Sequence, residues 1–254
     1  MLNARRGIAE QLYLDAMASL ALGNASVETV ADRLYVDATP SDLRRLGMHQ
    51  RYGSWYRGMV LETHFPECRA CVIGAGGPSV WSALVAGYFR SHPPRRLPMH
   101  HNAGRFPEFV AGRAEAVGLP GFVAEVADLE WLEWQVTTLD EHPAEREEPA
   151  LLQETPTLRE QVYRHDLVAW LDGDRGGSLP VRRPSTVLVW RDRQLVAQRA
   201  TLGLLDVGIL GAIRRGIDLR ALPAEVGATQ DDVFAAVREL HDVGILRGKP
   251  DGLL

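Results

Sequence analysis

The sequence predicts an α+β protein that is mainly α: an N-terminal helical domain followed by a C-terminal winged-helix-like module, a small sheet with three helices. Three observations predict it. Apolar residues recur near helical spacing through the first half, and no strand-like alternation of any length precedes residue 160. Two β-rich runs then flank a charged turn at Arg191-Asp192-Arg193. Three short apolar-periodic segments follow, punctuated by Gly216, Gly227 and Gly244.

The first helix is expected over Ala4–Ala21, with Ile8, Leu12, Met17 and Leu20 near helical spacing and Gly23-Asn24 as its stop. Ser41 is the expected cap of the next segment, an aromatic-rich run through Tyr52, Trp55, Tyr56, Met59 and Val60. Ser79 opens a helix carrying Val80, Leu84 and Tyr88 on one face, ended by His92-Pro93-Pro94, because proline lacks the amide donor and restricts the residue before it. Phe122, Val126, Leu129 and Trp134 form another stripe within 120–138.

The helical domain is therefore assigned to 1–138. Residues 139–157 alternate acidic side chains with Pro143, Pro149 and Pro156 and read as a solvated linker. The winged-helix-like module takes 158–254. Its strands are Thr186–Trp190 and Gln194–Arg199, with His165–Leu171 as a further strand. Its helices run from Leu202 to Arg215, from an Asp218 cap to Gly227, and from Thr229, where Asp232 completes a near capping box, to Gly244.

Composition excludes several classes. The 254 residues are 46% hydrophobic and 24% charged, with a net charge of −5. No apolar run is long enough for a membrane helix. The mixed-polarity N-terminus does not read as a signal peptide, so a cytoplasmic location is expected. The negative balance gives no electrostatic reason to hold nucleic acid. Of 28 basic residues only Lys249 is lysine, a bias that fits a GC-rich genome better than a need for guanidinium.

Each chemical constellation has a structural explanation. Cys68-Arg-Ala-Cys71, with His64 one turn earlier, has spacing for a soft metal on one helix face, but there is no second cysteine pair, and buried structural cysteine is expected. His100-His101 are adjacent and so point apart, which suits a loop. Gly74–Ser79 has neither the preceding strand nor the lysine of a phosphate cradle. Asp172–Gly176 resembles a calcium loop, but Arg183 stands where its twelfth-position glutamate belongs, so it reads as a turn. Asp128, Glu130 and Glu133 read as the solvated face of an amphipathic helix. No catalytic residue and no metal site is expected on this chain.

The series Tyr56-Arg57, Phe65-Pro66, Trp81, Leu84, Tyr88, His92-Pro93-Pro94, Phe106-Pro107, Phe109, Leu119-Pro120 and Leu129-Glu130-Trp131, with Pro184–Arg191 further on, resembles the HvfC/BufC-type proteins. These were long labelled a DNA-binding domain, and their relatives include the partner subunits MbnC and TglI of the methanobactin and thiaglutamate pathways. The likeness covers roughly residues 50 to 250. It implies a non-catalytic subunit that forms a heterodimer with a barrel enzyme carrying two or three irons. That enzyme uses oxygen to oxidise residues, often cysteine, in a ribosomally made precursor peptide. It implies no cofactor on this chain, and a C-terminal module that holds the leader peptide as an added strand.

With that mode the expected peptide-binding residues are Leu195, Val196 and Ala197 on the strand and Val233, Val237 and Leu240 on the third helix. The expected partner interface uses Trp55, Trp81, Trp131 and Trp134, since aromatics are enriched at interface hot spots. The alternative function is a DNA-binding regulator. The third helix argues against it, with Asp231, Asp232, Glu239 and Asp242 against Arg238 alone.

Overall fold

The computed structural model describes residues 2–93, 99–139, 149–173, 178–223 and 227–249, the side chains of 2–10 and of Met99 aside. The fold is α+β and mainly α. It divides into two compact units, Met1–Asp128 and Leu129–Leu254, so the division falls inside a helix rather than at 138.

The N-terminal unit holds helices α1 (Leu2–Ala21), α2 (Val27–Leu34), α3 (Pro40–His64), α4 (Pro66–Gly76), α5 (Pro78–Ser91), α6 (Phe106–Arg113) and the first part of α7 (Phe122–Thr138). Only part of the expected α1 stripe is core. Leu20 is fully buried and Ala16 nearly so, whereas Leu12 is 63% exposed. They pack with Val30, Ala31 and Leu46 into one small core.

Thr39, not Ser41, caps α3. Its hydroxyl accepts the Asp42 N–H and the Asp42 carboxylate accepts the Thr39 N–H; donation to that carboxylate from the Thr39 hydroxyl first, then from the Thr39 N–H, holds the Asp42 carboxyl below its ordinary pKa. Gly53 is buried on α3 where a Cβ would stand 2.2 Å from the Ala21 carbonyl oxygen, so only glycine permits this approach of α1 to α3. One turn on, Arg57 donates to the same carbonyl at 2.7 Å, placing a cation at the negative end of α1. A second core is aromatic: Phe106 lies 4.8 Å from Phe65, 5.3 Å from Tyr88 and 5.6 Å from Trp81, centroid to centroid. The buried Tyr88 hydroxyl donates to the Asn102 carbonyl.

The C-terminal unit takes the rest of α7, then β1 (Gln153–Glu154), β2 (Arg159–Tyr163), α8 (Leu167–Asp172), β3 (Ser185–Arg191), β4 (Ala197–Thr201), α9 (Leu204–Arg215), α10 (Gln230–Asp242) and β5 (Leu246–Arg247). The expected linker is partly structured. Residues 140–148 lie outside the described residues, but β1 pairs antiparallel with β5 and the side chains of Thr155 and Thr157 are buried. The expected strand at His165–Leu171 is instead α8, and the additional strand is β2. An apolar run of five residues cannot by its periodicity tell helix from strand.

The main sheet is antiparallel in the order β2-β3-β4, with Val187 opposite both Gln161 and Thr201. Leu188 and Trp190 project from one face into a core formed with Ile209, Leu210, Val233, Val237, Leu240 and Leu246. The Trp190 indole N–H, buried with its ring, donates to the Val243 carbonyl at 2.8 Å. Gly216 in the left-handed region closes α9, a Thr229–Asp232 capping box opens α10, and Gly244 at φ +84° closes it. The Asp218 segment begins as expected, with its carboxylate accepting the Arg220 N–H, and runs into 224–226 outside the described residues. Among the described residues no helix is long and apolar enough to cross a membrane.

Candidate functional site

The hairpin forms, but its turn is longer than expected and this moves the candidate residues. Asp192 organises residues 192–196: its carboxylate accepts the N–H groups of Gln194 and Val196, both at 2.9 Å. Its own N–H donates to the Val196 carbonyl. Leu195 takes φ 64°, the left-handed region that a leucine enters at a cost. Leu195 and Val196 are thus turn residues, each 52% exposed, and the Val196 main chain is consumed within the turn. Of the three expected strand residues only Ala197 lies on β4.

The hydrogen bonds fix which residues face outward. Leu202 donates to the Thr186 carbonyl and Asp192 to that of Val196, so even-numbered residues of this pair turn toward one another. Ala197, Arg199 and Thr201 therefore present their N–H and C=O groups to the outer edge. The same parity carried through β3 turns Arg159, Gln161 and Tyr163 inward and leaves Glu160 and Val162 at the outer edge of β2. Among the described residues neither β2 nor β4 has a second strand partner.

The two edges differ in chemistry. The residues of β2 from Arg159 to Val162 are exposed, and Glu160 is held by Arg214 at 2.8 Å, so this edge is charged. The edge of β4 has apolar neighbours at both ends, Leu195 and Val196 before it and the exposed Leu204 (90%) and Val207 after it. Across one sheet face, Arg199 bridges Glu133 of α7 at 2.7 Å and Asp172 of α8 at 2.6 Å. Burial lowers the Arg199 pKa, but hydrogen bonds and charge from Asp172 and Glu133 outweigh it and hold the guanidinium above its ordinary value. The polar face expected at Asp128–Glu133 is therefore not a solvated one, since Glu130 is also buried.

Val233, Val237 and Leu240 are 0%, 2% and 6% exposed, all inside the module's core. They cannot touch a guest peptide without the core opening, which corrects the expected groove. Their i, i+4, i+7 spacing marks a buried face, and spacing alone cannot say whether neighbour or ligand covers it.

The four tryptophans also separate. Trp55 is 58% exposed and lies 5.5 Å from the exposed Tyr52 ring, so it remains available to a partner. Trp81 is 3% exposed and belongs to the aromatic core. Trp131 and Trp134 stack at 4.5 Å, half-buried, on the part of α7 that belongs to the C-terminal unit.

Phe65-Pro66 breaks the helix between His64 on α3 and Cys68 and Cys71 on α4, so the three do not share one helix. Cys68 is fully buried. The His64 ring sits edge-on to His100 at 6.1 Å, and burial first, then the His100 charge, lowers its pKa. His100 and His101 lie on a short 3-10 turn, Met99–Asn102. Among the described residues no group of three histidine, cysteine or carboxylate side chains is placed to hold a metal ion. Gly77, at φ +82°, joins α4 to α5, and the expected turn at Asp172–Gly176 runs into 174–177 outside the described residues. No family model matches this chain, and no curated protein matches it.

Proposed function

We propose that this chain is the non-catalytic partner subunit of a multinuclear iron barrel enzyme that oxidises a ribosomally made precursor peptide in the cytoplasm. It would hold the leader peptide as an added strand on β4, with the iron on the partner and no cofactor of its own. The observation that carries this reading is the outer edge of β4, which has no further strand partner among the described residues and where Ala197, Arg199 and Thr201 turn their backbone groups outward beside exposed apolar side chains. Backbone pairing supplies affinity with little demand on sequence, and Leu195, Val196, Leu204 and Val207 supply apolar contacts for alternate guest side chains. The charged β2 edge is the kind that discourages pairing.

Enzyme docking falls to the exposed Tyr52–Trp55 pair on α3. DNA binding is disfavoured because Asp231, Asp232, Glu239 and Asp242 are exposed on α10 with Arg238 as the basic residue among them. Co-expression with a multinuclear iron barrel enzyme of the proposed kind should give a heterodimer on size-exclusion chromatography, and Trp55→Ala should weaken it. Separate elution of the two wild-type chains at micromolar concentration contradicts the proposal.

A further inference from the structure

A cleft of about 720 Å³ opens in the N-terminal unit among the end of α1, the middle of α3 and α5. That volume lies within the range of small-molecule sites, about 300–1,000 Å³. Its apolar lining comes chiefly from Trp55, Met59, Trp81, Val85 and Phe89. Its charges do not balance. Glu62 is already paired with Arg69 at 3.7 Å. Arg57 is fixed by hydrogen bonds to the Ala21 carbonyl and the Ser54 hydroxyl, with its guanidinium carbon 5.9 Å from the centre of the Phe89 ring. Arg90 lines the cleft from α5 and has no ion pair among the described residues.

We infer that this cleft is a binding site for a small organic anion with an apolar, ring-bearing body: the body lies among Trp55, Met59 and Phe89, and the anionic group meets Arg90 and Arg57. Two guanidinium groups against the one carboxylate of Glu62, itself paired with Arg69, favour an anion over a cation. The inference concerns the N-terminal unit alone and is independent of the strand-addition reading, while Trp55 would be shared with the Tyr52–Trp55 pair proposed to dock the enzyme.

The test titrates the full chain with anilinonaphthalene sulfonate and, in parallel, with phenylnaphthylamine, which has the same rings without the sulfonate. Dye fluorescence and calorimetric stoichiometry are read. One sulfonate dye should bind per chain, more tightly than the neutral one. Arg90→Gln should weaken the sulfonate dye about fivefold, as expected for one exposed charge pair worth ~1 kcal/mol, and leave the neutral dye unchanged. Ala86→Trp, at an exposed lining position, should remove both while circular dichroism stays as wild type. Equal affinity for the two dyes, or sulfonate binding that survives both substitutions, overturns the inference. So does an empty cleft in the free chain whose Ala86→Trp variant fails to assemble with the enzyme, which would give the cleft to a partner side chain.

Discussion

Val237→Ala tests whether the third-helix face is core or groove. Val237 is 2% exposed and belongs to one buried cluster with Leu188, Trp190, Ile209, Val233 and Leu240. The substitution removes two methyl groups. At ~0.8 kcal/mol per carbon the transfer loss is about 1.6 kcal/mol, and an unrelaxed cavity adds on the order of 1 kcal/mol. The expected loss is about 2–3 kcal/mol, a large fraction of the roughly 5–15 kcal/mol of a typical domain. Urea unfolding followed by far-ultraviolet circular dichroism reads it, with Ala235→Ser on the exposed side of α10 expected within about 0.5 kcal/mol of wild type. Val237→Glu should leave the module unfolded near neutral pH, because a carboxylate would be buried without a partner. A folded Val237→Glu protein, or a Val237→Ala loss under about 0.5 kcal/mol, refutes the assignment of this face to the core.

Two further predictions concern the N-terminal unit. Gly53→Ala should destabilise even though helix propensity alone favours alanine by about 1 kcal/mol, because the new Cβ would meet the Ala21 carbonyl 2.2 Å away; a raised melting temperature would contradict this. Burial raises the Tyr88 pKa to about 12, against about 10 when unfolded. The folded state thus keeps a proton that the unfolded state loses, so this contribution to stability is full below about 10 and is lost as pH rises through about 12. Tyr88→Phe should cost about 0.5–1.5 kcal/mol at neutral pH and flatten stability across that alkaline window, as measured by urea midpoints at stepped pH.

Much of the fold was legible because local chemistry wrote it. The Thr229–Asp232 box, the left-handed glycines at 216 and 244 and the Thr186–Trp190 run all have short-range causes, and each lies where its pattern indicates. The candidate site was less legible. The turn after β3 depends on one carboxylate collecting two N–H groups, which displaced Leu195 and Val196 from the strand. Arg199 finds Glu133 across 66 residues of chain, a pairing that no local pattern encodes. Gly53 looks like a weak point in a helix until the approaching Ala21 carbonyl is seen.

The most direct measurement of the central claim is the affinity of the fluorescently labelled leader of the proposed precursor peptide for proline variants along both sheet edges. Proline removes one N–H and leaves the rest of the chain to pair. Ala197→Pro and Thr201→Pro take that donor from the outer side of β4, and Val162→Pro takes it from the outer side of β2. Fluorescence polarisation should show both β4 variants weakened about threefold to tenfold, matching one hydrogen bond of about 0.5–1.5 kcal/mol, with circular dichroism unchanged and Val162→Pro binding as wild type. Folded Ala197→Pro and Thr201→Pro proteins that bind the leader as tightly as wild type would contradict strand addition at β4.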